Sequence, residues 1–199
     1  LITISEAEID RLKNTSSRLA VGSVLSRREM LLLALMSSEN RAAASLARTS
    51  PGGTSAFVSR MNQKARQLGM HSTRFYDPTW LDSRNTSTAE DLARMVAAAY
   101  RYPLIREDTT TTDQQVYARN RMLQYRNSNA LVREGQWQIG LSKSGYTQEA
   151  GGWLVMMATV GSTPLIMVFL DSEGSSARIN DARNIKTWLE KHPATWLAG

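Results

Sequence analysis

Three consecutive residues, Lys143, Ser144 and Gly145, carry groups suited to holding an anionic ligand at the start of an apolar, strand-like segment. A lysine ammonium at a strand edge can bind a carboxylate, and a neighbouring hydroxyl can share it. Gly145 has no side chain to keep a second backbone away from the strand. An exposed lysine beside a turn glycine is the alternative, but the continuation Tyr146-Thr-Gln-Glu-Ala-Gly-Gly favours a functional site. The triplet therefore predicts an anion site beside a catalytic serine.

A serine and an asparagine, Ser38 and Asn40, flank a single residue between two helical segments far upstream of Lys143. A short loop there would point a hydroxyl and an amide into one cleft. The hydroxyl could pass a proton to a leaving amine, and the amide could hydrogen-bond a substrate amide. Both residue types also commonly do no more than cap or end helices. Together with the Lys143 triplet, the catalytic interpretation becomes the stronger one.

The remaining reactive side chains do not support other catalytic chemistries. The two histidines, His71 and His192, lie in unrelated segments, which argues against a Ser-His-Asp triad and against a zinc site. The sequence contains no cysteine, so disulfides and thiolate catalysis are excluded. Four tryptophans are assigned to packing rather than to sugar stacking: Trp137, Trp153, Trp188 and Trp196.

Length and composition favour a globular protein with a positive surface. The chain has 199 residues, 42% of them hydrophobic, which suffices for one domain or for most of a larger one. Its net charge of +6 is spread over single arginines, so the basic patch of a nucleic-acid-binding protein is not evident, and bacterial cell wall fits the charge equally well. No apolar run is long enough to span a bilayer. The chain begins at Leu1 without methionine, and we expect an N-terminal truncation.

The first half of the chain has helical patterns. Ser26 and Glu29 form a capping box ahead of an apolar stretch, so a largely buried helix should start near residue 27. Ser87 and Glu90 have the same spacing and predict the cap of a helix that ends near residue 100. Helical composition also covers 41–48 and 55–68.

The second half favours strands followed by a helix. Residues 109–112 and 115–117 have β-favouring side chains, and the apolar runs 153–160 and 165–170 predict an antiparallel hairpin buried on both faces. A helix over 177–192 should cover it with side chains at helical spacing: Ile179, Ala182, Ile185 and Leu189. We therefore predict an α+β fold, with 1–199 as part of a single domain that is mostly helical over about 20–105 and holds the sheet and C-terminal helix over about 110–199.

Several segments, in this order, resemble one known family, the low-molecular-mass penicillin-binding proteins that act as D-alanyl-D-alanine peptidases. The resemblance runs over essentially the whole chain and is far more specific than any one motif. Within the family the chain looks most like the endopeptidase type, because the sequence stops soon after its final helix, and we expect no second C-terminal domain. The matching segments are Val21-Gly-Ser-Val-Leu-Ser-Arg-Arg-Glu, Ser38-Glu-Asn-Arg-Ala-Ala, Asp77-Pro-Thr, Ser87-Thr-Ala-Glu-Asp-Leu and Lys143-Ser-Gly-Tyr-Thr-Gln-Glu-Ala-Gly.

The resemblance implies a fold and a reaction. The fold is an antiparallel sheet flanked by helices, with a helical subdomain and the active site between them. The reaction is acyl transfer without a cofactor: a serine attacks the D-alanyl carbonyl, a lysine one helical turn later takes its proton, and water releases the acyl-enzyme. Ser38 would relay a proton, Asn40 would bind the substrate amide, Lys143 and Ser144 would contact the substrate, and the Tyr146 backbone N–H would face the oxyanion.

The sequence departs from the family pattern at three places. No serine lies three residues before any lysine, so the Ser-x-x-Lys nucleophile motif is absent. We expect a chain that lacks its N-terminal strands and nucleophile helix, and that hydrolyses nothing as 1–199. Trp80 stands where the family usually has glycine, so that loop should differ, since a positive φ would be costly for tryptophan. Ser144 replaces threonine and keeps the hydroxyl.

The resemblance also implies partners and a location. Expected partners are peptidoglycan cross-link peptides, β-lactam antibiotics as covalent inhibitors of the full protein, and the missing N-terminal segment. Nucleic acid and an integral membrane segment are not expected, and a periplasmic, Gram-negative-like location is. Two alternatives stay open: a D-alanyl-D-alanine carboxypeptidase and a non-catalytic fragment that binds cell wall. A β-lactamase fits less well, because no deacylating glutamate motif is apparent.

Overall fold

The computed structural model describes residues 1–196 of the chain. Within this range the helices are α1 (Arg27–Ser37), α2 (Asn40–Arg48), α3 (Gly53–Gln67), α4 (Ala89–Ala99), α5 (Pro103–Thr110), α6 (Ala130–Glu134), α7 (Gly174–Lys191) and α8 (Pro193–Trp196). The strands are β1 (Ile2–Thr3), β2 (Val24–Leu25), β3 (Asp113–Ala118), β4 (Arg121–Arg126), β5 (Gln138–Thr147), β6 (Gly151–Val160) and β7 (Thr163–Ser172). A single 3-10 turn covers Glu6–Glu8. The predicted α+β fold is confirmed.

A three-stranded antiparallel sheet with the order β5-β6-β7 forms the centre of the second half. The predicted hairpin is confirmed as β6 and β7, in which Val155 pairs with Val168. Alternate residues of β6 face opposite sides, as strand geometry requires. Leu154 packs in a cluster with Ile179 of α7, and Val155 packs with Leu92 of α4. The sheet is therefore covered by a helix on each side.

A second core joins α1 to the two small strand pairs. The capping box of Ser26 and Glu29 is confirmed: the Ser26 hydroxyl accepts from the Glu29 backbone N–H, and the Glu29 carboxylate accepts from the Ser26 N–H. Met30 and Leu33 of α1 are fully buried among residues from β1 to β4. The buried side chains of α1 anchor the helix, and with it the turn that follows.

The cap of α4 differs from the prediction by one residue. Thr88, not Ser87, is the N-cap residue, and its hydroxyl accepts from the Asp91 backbone N–H at 3.1 Å. The Ser87 hydroxyl instead lies 2.7 Å from the Thr73 hydroxyl. Because Thr73 and Ser72 also hydrogen-bond the Asp91 carboxylate, the preceding loop sets the register of the helix start.

Two further expectations about the second half were wrong. Thr109 and Thr110 belong to α5, because Pro103 starts a helix at its first position and the helix continues through the threonines. Ile185 of α7, predicted to face the sheet, is 44% exposed, whereas Ala182 is buried in the sheet cluster. Residues 197–199, the end of the predicted sheet-and-helix region, lie outside the described residues. Within the described part, no helix has the length and apolar character needed to cross a membrane.

Candidate functional site

Ser38 occupies a sharp turn between α1 and α2. It ends α1 in the left-handed conformation, with φ 54° and ψ 38°, a region that few non-glycine residues enter. Glu39 follows as the N-cap of α2, and its carboxylate accepts from the Arg41 backbone N–H. The turn directs the Ser38 hydroxyl towards β5, where it donates to the Ser144 carbonyl oxygen at 3.0 Å.

Lys143 meets Ser38 from the opposite wall, on β5. Its ammonium donates to the Ser38 hydroxyl and, at 3.0 Å, to the Ser144 carbonyl oxygen. The nitrogen also lies 5.5 Å from the centre of the Trp153 indole ring. Burial, with a smaller contribution from the Arg178 guanidinium, lowers the pKa of Lys143 from 10.5 to about 8. The ammonium is therefore charged at neutral pH and close to its titration range.

Ser144 and Gly145 contribute in ways that the motif does not reveal. The Ser144 side chain is buried, and its oxygen lies 2.7 Å from the Ser128 hydroxyl, so the carbonyl, not the hydroxyl, contacts Lys143 and Ser38. A Cβ atom at Gly145 would lie only 2.3 Å from the Trp153 ring. The absence of a side chain at Gly145 is thus required by Trp153 whether or not a ligand is bound.

All six residues predicted for the site line one cavity of about 180 Å³. They are Ser38, Asn40, Lys143, Ser144, Gly145 and Tyr146. The Asn40 side-chain nitrogen donates to the Thr15 hydroxyl oxygen at 3.3 Å, and the Tyr146 side chain is exposed. Residues far apart in sequence therefore converge on one small polar space.

Comparison of the sequence with profiles of known protein families identifies the family of the chain. The sequence profile described as D-alanyl-D-alanine carboxypeptidase matches residues 1–174. The chain belongs to this family.

Two bacterial D-alanyl-D-alanine endopeptidases resemble the chain over almost its whole length. A D-alanyl-D-alanine endopeptidase of Pseudomonas aeruginosa is 46% identical over an alignment of 197 residues that covers 98% of this chain and 64% of that protein. The D-alanyl-D-alanine endopeptidase of Escherichia coli K12 is 43% identical and aligns with 95% of this chain and 62% of its own length. The chain thus spans less than two thirds of each relative.

Solved structures give the same fold. The Streptomyces K15 DD-transpeptidase superimposes with a TM-score of 0.84 at 27% identity, covering 94% of this chain and 77% of that one. A penicillin-binding protein homolog of Mycobacterium tuberculosis gives a TM-score of 0.75 at 26% identity, covering 85% and 64%. The agreement extends over both the helical part and the sheet.

Arg178 contacts the strand that forms one wall of the cavity, and sequence reasoning missed it. It projects from α7, is only 8% exposed, and donates to the Gly145 carbonyl oxygen at 2.6 Å. A single arginine on an amphipathic helix gives no motif signal. The only hint in the sequence is its place at 177–192, in the helix predicted to cover the strand that carries Lys143.

Trp80 and Trp153 form an aromatic wall beside Lys143. Trp80 has φ 68°, the positive φ that was expected to be costly for tryptophan, and a loop that differs from the family's stays a prediction. The left-handed conformation costs about 1–3 kcal/mol in a non-glycine residue. Edge-to-face contacts of Trp80 with Phe75 at 5.7 Å and with Trp153 at 6.4 Å contribute about 0.5–1.5 kcal/mol each and largely offset it. Trp153, assigned to packing, therefore also lines the site.

Two larger cavities adjoin the small one. One of about 480 Å³ shares Asn40, Thr79 and Leu81 with it, and one of about 410 Å³ shares Trp80, Trp153 and Lys143. Among residues 1–196 no group of three or more histidine or carboxylate side chains is placed to hold a metal ion. The chain therefore offers a cationic, hydroxyl-containing site at the junction of two grooves.

Proposed function

We propose that the full-length protein containing this chain is a serine-type D-alanyl-D-alanine endopeptidase that cleaves peptidoglycan cross-links through an acyl-enzyme and is acylated by penicillins. The observation that carries the proposal is the contact of the Lys143 ammonium with the Ser38 hydroxyl between the two walls of the cavity. The names of the relatives from Pseudomonas aeruginosa and Escherichia coli support the same reaction.

Ser38 is the proton relay in this proposal. Its hydroxyl oxygen accepts from Lys143, and its own hydrogen is donated to the Ser144 carbonyl. When a substrate amine becomes a leaving group, the same hydroxyl can turn to donate to it while the lysine resupplies the proton. Such a relay needs a cation that titrates near the working pH, and the lowered pKa of Lys143 supplies one.

The strand β5 is the backbone partner of the substrate in this proposal. Among the described residues no strand pairs with its other edge, so an extended peptide can add there through main-chain hydrogen bonds. Lys143 and Arg178 place two cations beside that edge for a substrate carboxylate. The Tyr146 backbone N–H, at the same edge, is assigned to the oxyanion, and the Ser144 hydroxyl to support of the strand through Ser128.

Cross-linked substrates are favoured over monomers by the room around the site. A cross-link has peptide on both sides of the scissile bond, and the cavities of about 480 and 410 Å³ extend from the site in addition to the 180 Å³ centre. The family description favours the carboxypeptidase as the second candidate. Incubation with cross-linked dimers and with pentapeptide monomers decides: release of terminal D-alanine alone would exclude the endopeptidase.

The nucleophile belongs to the part of the protein outside this chain. No Ser-x-x-Lys motif occurs in residues 1–199, so the chain alone should be inactive while it supplies the rest of the site. Its partners are then the N-terminal segment, cross-link peptides and β-lactams, in a periplasmic location. A non-catalytic cell-wall-binding fragment is the alternative from a different class.

Fluorescent penicillin labelling tests the proposal directly. The full-length protein should be labelled, Lys143→Ala should lose most of the label, and residues 1–199 expressed alone should take none. Binding to isolated cell wall by a full-length protein that no penicillin labels would favour the non-catalytic alternative.

A further inference from the structure

A short segment beside the site, Asp10–Ser17, is held together by one carboxylate. Asp10 accepts hydrogen bonds from the backbone N–H groups of Leu12 at 2.8 Å, Lys13 at 3.0 Å and Thr15 at 2.9 Å. Burial alone would raise the pKa of Asp10, but these bonds and the Thr15 hydroxyl together lower it below its ordinary value. Asp10 is therefore ionised at neutral pH and can only accept hydrogen bonds.

The ionised Asp10 determines what the Thr15 hydroxyl can do. A threonine hydroxyl has one hydrogen, and that of Thr15 is donated to Asp10 at 2.8 Å. The Thr15 oxygen has only acceptor capacity left for its second neighbour, the Asn40 side-chain amide at 3.3 Å. Because an acceptor cannot pair with an amide oxygen, the NH2 group of Asn40 must face Thr15. The assignment of oxygen and nitrogen in Asn40 follows from this inventory of protons.

The same segment holds the residue before Asn40. The Ser17 hydroxyl donates to the Glu39 carboxylate at 2.6 Å, and the other Glu39 oxygen lies 3.4 Å from the Tyr125 hydroxyl. Glu39 is buried, so this contact fixes the start of α2 from outside the helix. The segment thus contacts two consecutive residues of the turn that carries the site.

We propose that Asp10 and Thr15 are positioning residues that fix the amide of Asn40, so that its second N–H is the one offered to a carbonyl group of the ligand. The proposal rests on the proposed function, in which Asn40 binds the substrate amide. Thr15 and Asn40 both line the 180 Å³ cavity, so the oriented amide lies where a ligand would bind. Without the Thr15 acceptor, the Asn40 side-chain amide can flip. The flipped amide presents its oxygen to the ligand carbonyl, and two acceptors cannot pair.

Two ligands that differ in a single carbonyl separate positioning from general support. Benzylpenicillin has an acylamino carbonyl beside its lactam ring, and 6-aminopenicillanic acid has an amine there. In the full-length protein, Thr15→Val should lower the acylation rate constant for benzylpenicillin about tenfold, the size of one net hydrogen bond, and should change that for 6-aminopenicillanic acid by less than about twofold. Thr15→Ser should restore the benzylpenicillin rate, because serine keeps the acceptor.

Controls for this experiment come from the same chain. Thr111→Val removes a hydroxyl that donates to the Glu107 carbonyl at the end of α5, away from the cavity, and should leave both rates unchanged. Equal losses for the two ligands in Thr15→Val, or unchanged rates for both, would overturn the proposal. A wild-type protein that neither ligand acylates would instead overturn the proposed function.

A spectroscopic measurement tests the positioning role without any reaction. In the 15N-labelled full-length protein, the two side-chain N–H protons of Asn40 should exchange with solvent at different rates, because one is bonded to Thr15. Thr15→Val should make the two rates similar, and Thr15→Ser should keep them apart. An Asn40 amide unaffected by Thr15→Val, in a protein that melts at the wild-type temperature, would refute the positioning role even if labelling fails.

Discussion

At the scale of single residues, Lys143 both contacts the Ser38 hydroxyl and has a pKa lowered to about 8. The ammonium is present below the pKa and lost above it, so any step that needs the cation should weaken as pH rises through that value. Penicillin acylation of the full-length protein should therefore fall by about tenfold per unit on the alkaline side. Stopped-flow labelling between pH 7 and 10 measures this limb.

Lys143→Arg provides the matched variant for the pH experiment. A guanidinium stays charged throughout the range, so the residual activity of this variant should show its alkaline limb displaced to higher pH. An identical limb in both proteins would assign the titration to another group.

Gly145 is constrained by its cross-strand neighbour Trp153, with which it is in register. Gly145→Ala would place a methyl group 2.3 Å from the Trp153 ring, and we expect a loss of about 1–3 kcal/mol in the free energy of unfolding. Urea denaturation of Gly145→Ala, Trp153→Ala and the double variant measures the coupling. The two losses should be clearly less than additive, and strict additivity would mean that the ring moves aside at no cost.

At the scale of elements, the N-cap residue of α4 differs from the one that the sequence pattern predicted: Thr88 caps the helix, not Ser87. Thr88→Ala removes the observed cap and should destabilise the protein by about 1 kcal/mol. Ser87→Ala, at the position that the sequence pattern favours, should cost less, because that hydroxyl bonds only Thr73 and a nearby carbonyl. Thermal unfolding of both variants compares them, and a larger loss for Ser87→Ala would restore the original assignment.

Patterns with a local cause were predictable, and contacts set by distant residues were not. The capping box at Ser26 and the hairpin of β6 and β7 follow from neighbouring side chains, and both are confirmed. The cap at Thr88 depends on Thr73, which holds Asp91 from another loop. The roles of Arg178 and Thr15 could not be predicted from sequence for the same reason. Arg178 reaches the site only through its contact with Gly145, and Thr15 only through its contact with Asn40.

At the scale of the whole molecule, an ion pair joins the first and second halves beside the site. Lys13, in the Asp10–Ser17 segment, contacts Glu149 in the turn between β5 and β6. Glu149→Gln should increase amide hydrogen exchange in the Asp10–Ser17 segment, because the segment loses its contact with the sheet. Glu134→Gln, which removes an ion pair with Arg183 elsewhere, should leave exchange in the segment unchanged. Equal exchange in the two variants would show that the ion pair does not restrain the segment.

The division of one domain into a mostly helical part over about 20–105 and a part with the sheet and C-terminal helix over about 110–199 stays a prediction. Sequence motifs located six of the twelve residues that line the cavity, and the fold explains why these six meet: α1 ends in a left-handed turn that faces β5. Motifs could not predict the contacts that hold the Ser38 turn and strand β5 in place, such as those of Ser17 with Glu39 and of Arg178 with Gly145.

The contact between Ser38 and Lys143 joins residues 105 positions apart in the chain. Closing a loop of this length costs conformational entropy, so we expect this contact to form late in folding. Reaction with a β-lactam can then report when refolding molecules have formed a complete site. During refolding of the full-length protein, the appearance of drug-reactive molecules should lag behind the recovery of helical signal, and the lag would measure how long the two walls take to meet.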